Sequence, residues 1–152
     1  VSDIVALGSC QERSMTTISF RFSSLLHSYT DCAAVHRQQY DASRATLHKL
    51  LPKADWVALC CGLNEETYRL FDAEAFALMK PSAGIVTIAR GGCIDTDALV
   101  KALQEGEISF AGLDVTDPEP LPAGHPLWAM DNVVITPHSS GEKRTHLGFR
   151  LV

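Results

Sequence analysis

Residues 85–99, IVTIARGGCIDTDAL, decide how this chain is read. The first five positions are apolar or β-branched and carry no charge, which suits a strand buried on both faces. Arg90 follows at once, then Gly91 and Gly92. Asp95 or Thr96 then caps a helix with Leu99, Ala102 and Leu103 on one face, and Gly106 ends it. A charge at the end of a buried strand is costly unless something neutralises it.

The same strand-then-helix rhythm runs outward on both sides. Asp55–Cys61 is a short apolar run closed by Gly62. Asp72 caps a helix carrying Phe76 and Met79, which Pro81 stops. Phe110–Val115 and Asn132–Thr136 read as further strands. Strands that are apolar throughout, joined by helical crossovers, predict an α/β fold with a doubly wound parallel sheet, Rossmann-like, over residues 45–138. The first 44 residues are less regular. Asp3–Gly8 reads as a strand ending in a turn, Cys32–His36 as a second strand, and Met15–Tyr29 between them as a helix.

Composition bounds the function. A chain of 152 residues is long enough for one domain burying about 70% of its unfolded surface. The net charge of −5 leaves no basic footprint for nucleic acid. The longest uninterrupted apolar stretch, Trp56–Leu63, is far below the ~18 residues of a membrane helix, so no membrane role is expected. No segment reads as a secretory signal. Cys10, Cys32, Cys60, Cys61 and Cys93 are odd in number and lack CxxC spacing, so free thiols in a reducing cytoplasm are expected, and no metal site. The start at Val1 and the stop at Val152 suggest a piece of something longer.

In an open parallel sheet, ligands bind beyond the carboxyl ends of the strands. The polar residues at those ends are Arg90, Asp114 and His138, with Glu119 in the loop just past Val115. Each has a plain alternative: a solvated charge or ion-pair partner for Arg90, a turn cap for Asp114, a solvated acid for Glu119, a structural role for His138. Prolines on both sides of Glu119 hold its backbone. The remaining histidines (His27, His36, His48, His125, His146) lack a strand-end position. Taken together, the set performs one task. A histidine gives a proton near neutral pH, a carboxylate on its other nitrogen favours the imidazolium, and an arginine grips a carboxylate in a fork. That chemistry suits reduction of a 2-keto acid.

Ala89-Arg90-Gly91-Gly92 with Ile94-Asp95, Gly112-Leu113-Asp114-Val115, Asp117-Pro118-Glu119-Pro120 and Thr136-Pro137-His138 together resemble the D-isomer-specific 2-hydroxyacid dehydrogenases, in register over roughly residues 50–141. Arg90 and Glu119 stand 29 residues apart, and Glu119 and His138 stand 19 apart, as the family's order requires. Residues 111–127 look most like its glyoxylate/hydroxypyruvate reductases. The resemblance implies catalytic roles for Arg90 (grip on the substrate carboxylate and keto oxygen), His138 (proton delivery) and Glu119 (partner of His138). It implies cofactor contacts from Gly8, Gly62, Ile88, Arg90, Asp114 and Ser140, with Asp114 facing the nicotinamide carboxamide. It also implies a homodimer, a small 2-keto or 2-hydroxy acid substrate, and NADP or NAD as cofactor.

Three departures accompany the resemblance. The family's glycine-rich turn falls 82 residues before Arg90, where this chain reads Ala6-Leu7-Gly8-Ser9-Cys10-Gln11 and keeps only the middle glycine. The acid that would hold a ribose hydroxyl is replaced by His36-Arg37. Arg37 there favours a 2′-phosphate and hence NADP, or is simply an exposed loop arginine. Ser140 stands where relatives commonly have glycine. The expected organisation is a single dinucleotide-binding domain over 1–152, divergent over 1–44 and family-like over 45–141, with the substrate domain absent from this chain. A non-catalytic or truncated member acting as an interaction module is the alternative.

Overall fold

The computed structural model describes residues 2–9, 15–22, 38–41 and 44–140. In chain order these form strands β1 (Ser2–Ser9), β2 (Met15–Phe22) and β3 (Gln38–Asp41), helix α1 (Arg44–Leu50), strand β4 (Trp56–Cys60), helix α2 (Ala73–Ala77), strand β5 (Gly84–Thr87), helix α3 (Thr96–Glu105) and strands β6 (Phe110–Leu113) and β7 (Val133–Ile135). One sheet runs in the order β3-β2-β1-β4-β5-β6-β7. Strands β1, β4, β5, β6 and β7 are mutually parallel along it, with helices in the connections, which is the Rossmann-like architecture expected. β2 and β3 are antiparallel additions at one side.

The parallel strands form where the residues are apolar throughout. Val57, Leu59, Ile85, Ala111 and Leu113 are all buried, and Val5 and Leu7 of β1 join them. Such side chains contribute roughly 1.5–3 kcal/mol each when fully removed from water. The helices form where caps and apolar spacing agree. The Asp72 carboxylate accepts from the Ala75 amide at 3.0 Å, and Phe76 and Met79 are buried. Asp95 caps α3 through the Ala98 amide at 3.2 Å, and Gly106 ends it with φ 72°, a left-handed conformation that glycine takes without penalty. Phe71 and Phe76, 5.8 Å apart between ring centres, fill the layer beside the sheet.

Three expectations differ at the ends or the beginning. The last two residues of the expected strands at 84–89 and 110–115 leave the sheet: β5 stops at Thr87 and β6 at Leu113. Part of the expected helix over 15–29 is strand β2, paired antiparallel with β1. Ile18, Phe20 and Phe22 alternate with polar residues there, and that period of two outweighs a vague helical pattern. Gly8 does not sit in a strand-to-helix turn. It lies inside β1, opposite Cys60 of β4 and Thr16 of β2. Gln11, Arg37 and the expected strand at 32–36 lie outside the described residues.

At the amino edge of the sheet, Asp55 ties the strands together. Its carboxylate accepts from the Asp3 amide at 2.7 Å and from Lys80 Nζ at 2.8 Å. The Lys80 ammonium, followed by the Asp3 amide, holds its pKa below the usual carboxylate value. The candidate site residues lie at the other edge.

Candidate active site

Main-chain hydrogen bonds continue past the strand ends: Ile88 to Leu59 at 3.0 Å, Asp114 to Thr87 at 3.0 Å and Thr136 to Leu113 at 2.9 Å. They keep the carboxyl ends of β4, β5, β6 and β7 level. The segments that follow therefore leave the sheet at one edge, carrying Gly62, Ile88–Arg90, Asp114 and Thr136–Ser140 with them. Strand order and register set this convergence, which is why distant residues meet.

His138 and Glu119 are brought into direct contact. His138 Nδ1 lies 2.7 Å from Glu119 Oε1, and both side chains are about 42% exposed. His138 adopts φ 52°, and its amide closes a tight turn onto the Thr136 carbonyl at 3.0 Å. The pair lines a cavity of about 440 Å³ together with Asp114, Thr116, Trp128 and Thr136. Trp128 is half exposed there, its indole N–H donating to the Pro122 carbonyl at 2.9 Å.

Arg90 lines a second cavity, about 480 Å³, with Cys60, Gly62, Leu63 and Ile88. Its guanidinium is exposed and donates from Nη1 to the Ala89 carbonyl at 2.7 Å. It forms no ion pair among the described residues, so its other N–H groups are open to an anion. The structure thus joins His138 to Glu119 but leaves Arg90 in the neighbouring cavity of the same edge. The two are linked through backbone. A Cβ added at Gly91 would stand 2.0 Å from the Thr116 carbonyl oxygen, so only glycine lets the Arg90 loop lie against the loop leading to Glu119.

Asp114 is buried and accepts four hydrogen bonds. Oδ1 receives the Thr136 hydroxyl and the Ser139 amide, the latter at 3.0 Å. Oδ2 receives the Ser140 amide at 3.0 Å and the Ser140 hydroxyl. Burial opposes its ionisation, but the Ser140 and Thr136 hydroxyls and the two amides outweigh that and hold the carboxyl well below the usual range.

The loop that follows Gly62 is held by its own turn. Asn64 Oδ1 accepts from the Glu66 and Thr67 amides, both at 2.9 Å, and the buried Thr67 hydroxyl donates to the Gly62 carbonyl at 2.8 Å. The Cys61 and Cys93 thiols are both buried and act on each other's ionisation. The Cys61 contact lowers the Cys93 thiol to about 7 against burial, with help from Arg90 and Thr67, while Cys61 is pushed up. Cys60, Cys61 and Cys93 are free. Among the described residues, no group of three or more histidines, cysteines or acids is placed to hold a metal ion, and no helix is long and apolar enough to cross a membrane.

Several contributors escaped the reading of the sequence. Thr136 and Ser139 bind Asp114 from 22 and 25 residues away, and no local signal marks such a pairing. Thr116 and Trp128 line the His138 cavity through loop packing alone. The Asn64–Thr67 turn did carry a signal, an Asn and a Thr spaced for side-chain-to-backbone bonds.

Comparison with known proteins gives the family. Residues 5–140 match the family model described as D-isomer specific 2-hydroxyacid dehydrogenase, NAD binding domain. A glyoxylate/hydroxypyruvate reductase B from Escherichia fergusonii is 50% identical over 101 residues, covering 66% of this chain and 31% of that protein. The crystal structure of a D-isomer specific 2-hydroxyacid dehydrogenase from Xanthobacter autotrophicus, in complex with NADPH and MES, superposes with a TM-score of 0.60 at 44% identity, covering 62% of this chain and 30% of that one. An NADPH-dependent glyoxylate/hydroxypyruvate reductase from Sinorhizobium meliloti, solved in apo form, gives a TM-score of 0.63 at 29% identity over 68% and 42% of the two chains. The chain spans about three-tenths of the length of the reductase B relatives. By its matched length, its sheet order and its strand-end residues, the chain belongs to the D-isomer specific 2-hydroxyacid dehydrogenase family, in the NAD-binding domain.

Proposed function

We propose that these residues form the cofactor half of an oxidoreductase that reduces a small 2-keto acid of the glyoxylate or hydroxypyruvate type to the D-2-hydroxy acid, with NADPH or NADH. The observation that carries this reading is the 2.7 Å contact between His138 Nδ1 and Glu119, on the same sheet edge as an unpaired arginine. The donor set at that edge fits the nicotinamide end of a dinucleotide: open space over Gly62, the exposed face of Ile88, Arg90, Asp114 and Ser140. The first strand does not supply the pyrophosphate turn among the described residues, because Gly8 is paired inside the sheet. Bound there, a nicotinamide cofactor supplies the hydride for the keto carbon.

The chain's own residues do the rest. The free N–H groups of Arg90 take the substrate carboxylate as a fork and draw electron density from the adjacent carbonyl. Glu119 holds Nδ1–H, so the imidazolium of His138 gives its Nε2 proton to the keto oxygen and remains as the Nδ1–H tautomer. The second wall of the cleft, in this reading, comes from sequence outside residues 1–152, which act as one dinucleotide-binding domain. The whole protein is taken to be a cytoplasmic homodimer, in keeping with the free thiols and with the family resemblance. Incubation of the whole protein with NADPH and hydroxypyruvate should yield D-glycerate; a product of the opposite hand, or none, would overturn the assignment.

A second reading, a non-catalytic interaction module that keeps the fold, is favoured by one observation, the pairing of Gly8 between two neighbouring strands. Calorimetric titration of the folded whole protein with NADPH and NADH separates the two. Saturable binding of either supports the reductase, and no heat from either supports the module.

A further inference from the structure

We propose that Asp114 is the positioning residue of the His138 turn, setting the aim of the imidazole through the backbone on both sides of it. This rests on the reading of His138 as the proton donor and deepens it.

The anchor itself is rigid. Asp114 directly follows β6, its amide is held by the Thr87 carbonyl at 3.0 Å, and it is only 6% exposed. Its four donors bracket His138 in sequence: Thr136 two residues before, Ser139 and Ser140 immediately after. The turn between them is unfavourable by itself, because His138 occupies the left-handed region that residues with a Cβ avoid. The His138–Glu119 pair cannot impose that conformation, since both partners are about 42% exposed and a solvent-screened pair holds little. Among the described residues, the partly buried, charge-assisted hydrogen bonds on this turn all end on Asp114. Oδ1 spans the turn, taking Thr136 before His138 and Ser139 after it, and Oδ2 takes Ser140. An asparagine would present an NH2 group either to the Ser140 donors or to the Ser139 and Thr136 donors, and the backbone amide facing it would lose its acceptor.

Ser140 belongs to the same device. Glycine at that position would keep the amide bond and lose the hydroxyl bond, so the serine strengthens the grip on the carboxylate. The Asp114 carboxylate then serves the histidine turn first, whatever it contributes to a nicotinamide beside it.

The test is nuclear magnetic resonance of the 15N-labelled chain, with amide exchange and the ring-nitrogen shifts of neutral His138 as readouts. In Asp114→Asn, whichever of the Ser139 and Ser140 amides faces the new NH2 group should exchange at least about tenfold faster while the β5 and β6 amides of Ile85 and Ala111 keep their rates. The His138 ring should pass from the Nδ1–H tautomer, which alone donates to Glu119, towards the Nε2–H form. Glu119→Ala should shift the tautomer without exposing the Ser139 and Ser140 amides, which separates loss of the partner from loss of the anchor. Unchanged exchange and an unchanged tautomer in Asp114→Asn would overturn the proposal. Should the β5 and β6 amides of that variant lose protection as a whole, the Thr136→Val, Ser140→Ala double variant replaces it. Faster exchange at Ser139 and Ser140 then supports the anchor, and no change overturns it. Failure of the functional reading shows differently: a whole enzyme carrying His138→Ala would keep its rate while the anchor's signature in the spectra stood.

Discussion

Gly91 offers the sharpest mechanical test of how the two halves of the site are joined. Replacing it with alanine places a Cβ 2.0 Å from the Thr116 carbonyl oxygen, 2.1 Å from the Thr116 carbonyl carbon and 2.6 Å from the Asp117 nitrogen. All three are backbone atoms, so no rotamer change relieves the clash. One loop must move, and each carries a candidate catalytic group, Arg90 on one side and Glu119 on the other. Overpacking of this kind costs about 1–3 kcal/mol, which for a domain of this size lowers Tm by roughly 2–4 °C per kcal/mol. Gly91→Ala should therefore melt about 4–8 °C below the parent, given a cost near 2 kcal/mol. Two control glycines isolate the cause. Gly124 has open space around its would-be Cβ, so Gly124→Ala should be neutral or stabilise by up to about 1 kcal/mol. Gly106 also has open space but sits at φ 72°, so Gly106→Ala should cost about 1 kcal/mol through backbone strain alone. Thermal melts followed by circular dichroism, with urea titrations for ΔG, read all three. A Gly91→Ala chain that melts with Gly124→Ala would refute the close approach.

Other perturbations address the anchor, the helices and the core. Because the Asp114 pKa is depressed on folding, its contribution is fully present above the unfolded value of about 4 and is lost as pH falls from there towards the folded pKa. Urea midpoints of the parent and Asp114→Asn should accordingly differ most near neutrality and converge below about pH 4; a gap that widens on acidification would reverse the sign and the argument. Removing the α2 cap by Asp72→Ala should cost about 1 kcal/mol, since one carboxylate both accepts the Ala75 amide and pairs with Arg44; no loss of stability would mean the cap is idle. Phe76, with 0% of its surface exposed, should cost about 3–5 kcal/mol on truncation to alanine, the largest single loss expected here, read from the same urea curves.

Legibility along the chain followed physical cause. β4 to β7 were readable because their runs are apolar almost throughout, even where Trp56 and Val134 end up exposed, and α2 and α3 because Asp72, Asp95 and Gly106 mark their ends. Strand lengths were overread at Ile88–Ala89 and Asp114–Val115, where one more ladder bond forms but the chain already turns away. Arg90, Asp114 and His138 stood out as polar residues at strand ends, with Glu119 in the loop just beyond, and register brings those ends to one edge. The partners of Asp114 could not stand out, for Thr136, Ser139 and Ser140 reach it only through tertiary structure. The beginning misled for a different reason. A glycine in a strand-to-turn context resembles a phosphate turn, yet Gly8 serves just as well inside a paired strand, and the alternation at Ile18, Phe20 and Phe22 was the stronger signal.

The central claim, that this edge donates a proton to a keto acid gripped by arginine, is tested most directly by the rate of hydroxypyruvate-dependent NADPH oxidation, read as loss of absorbance near ~340 nm in the whole protein. His138→Ala should lower kcat by about 10²–10⁴-fold, and Arg90→Ala should raise KM as well as lower kcat through loss of the carboxylate fork. Variants of both residues that turn over at the parent's rate would contradict the account.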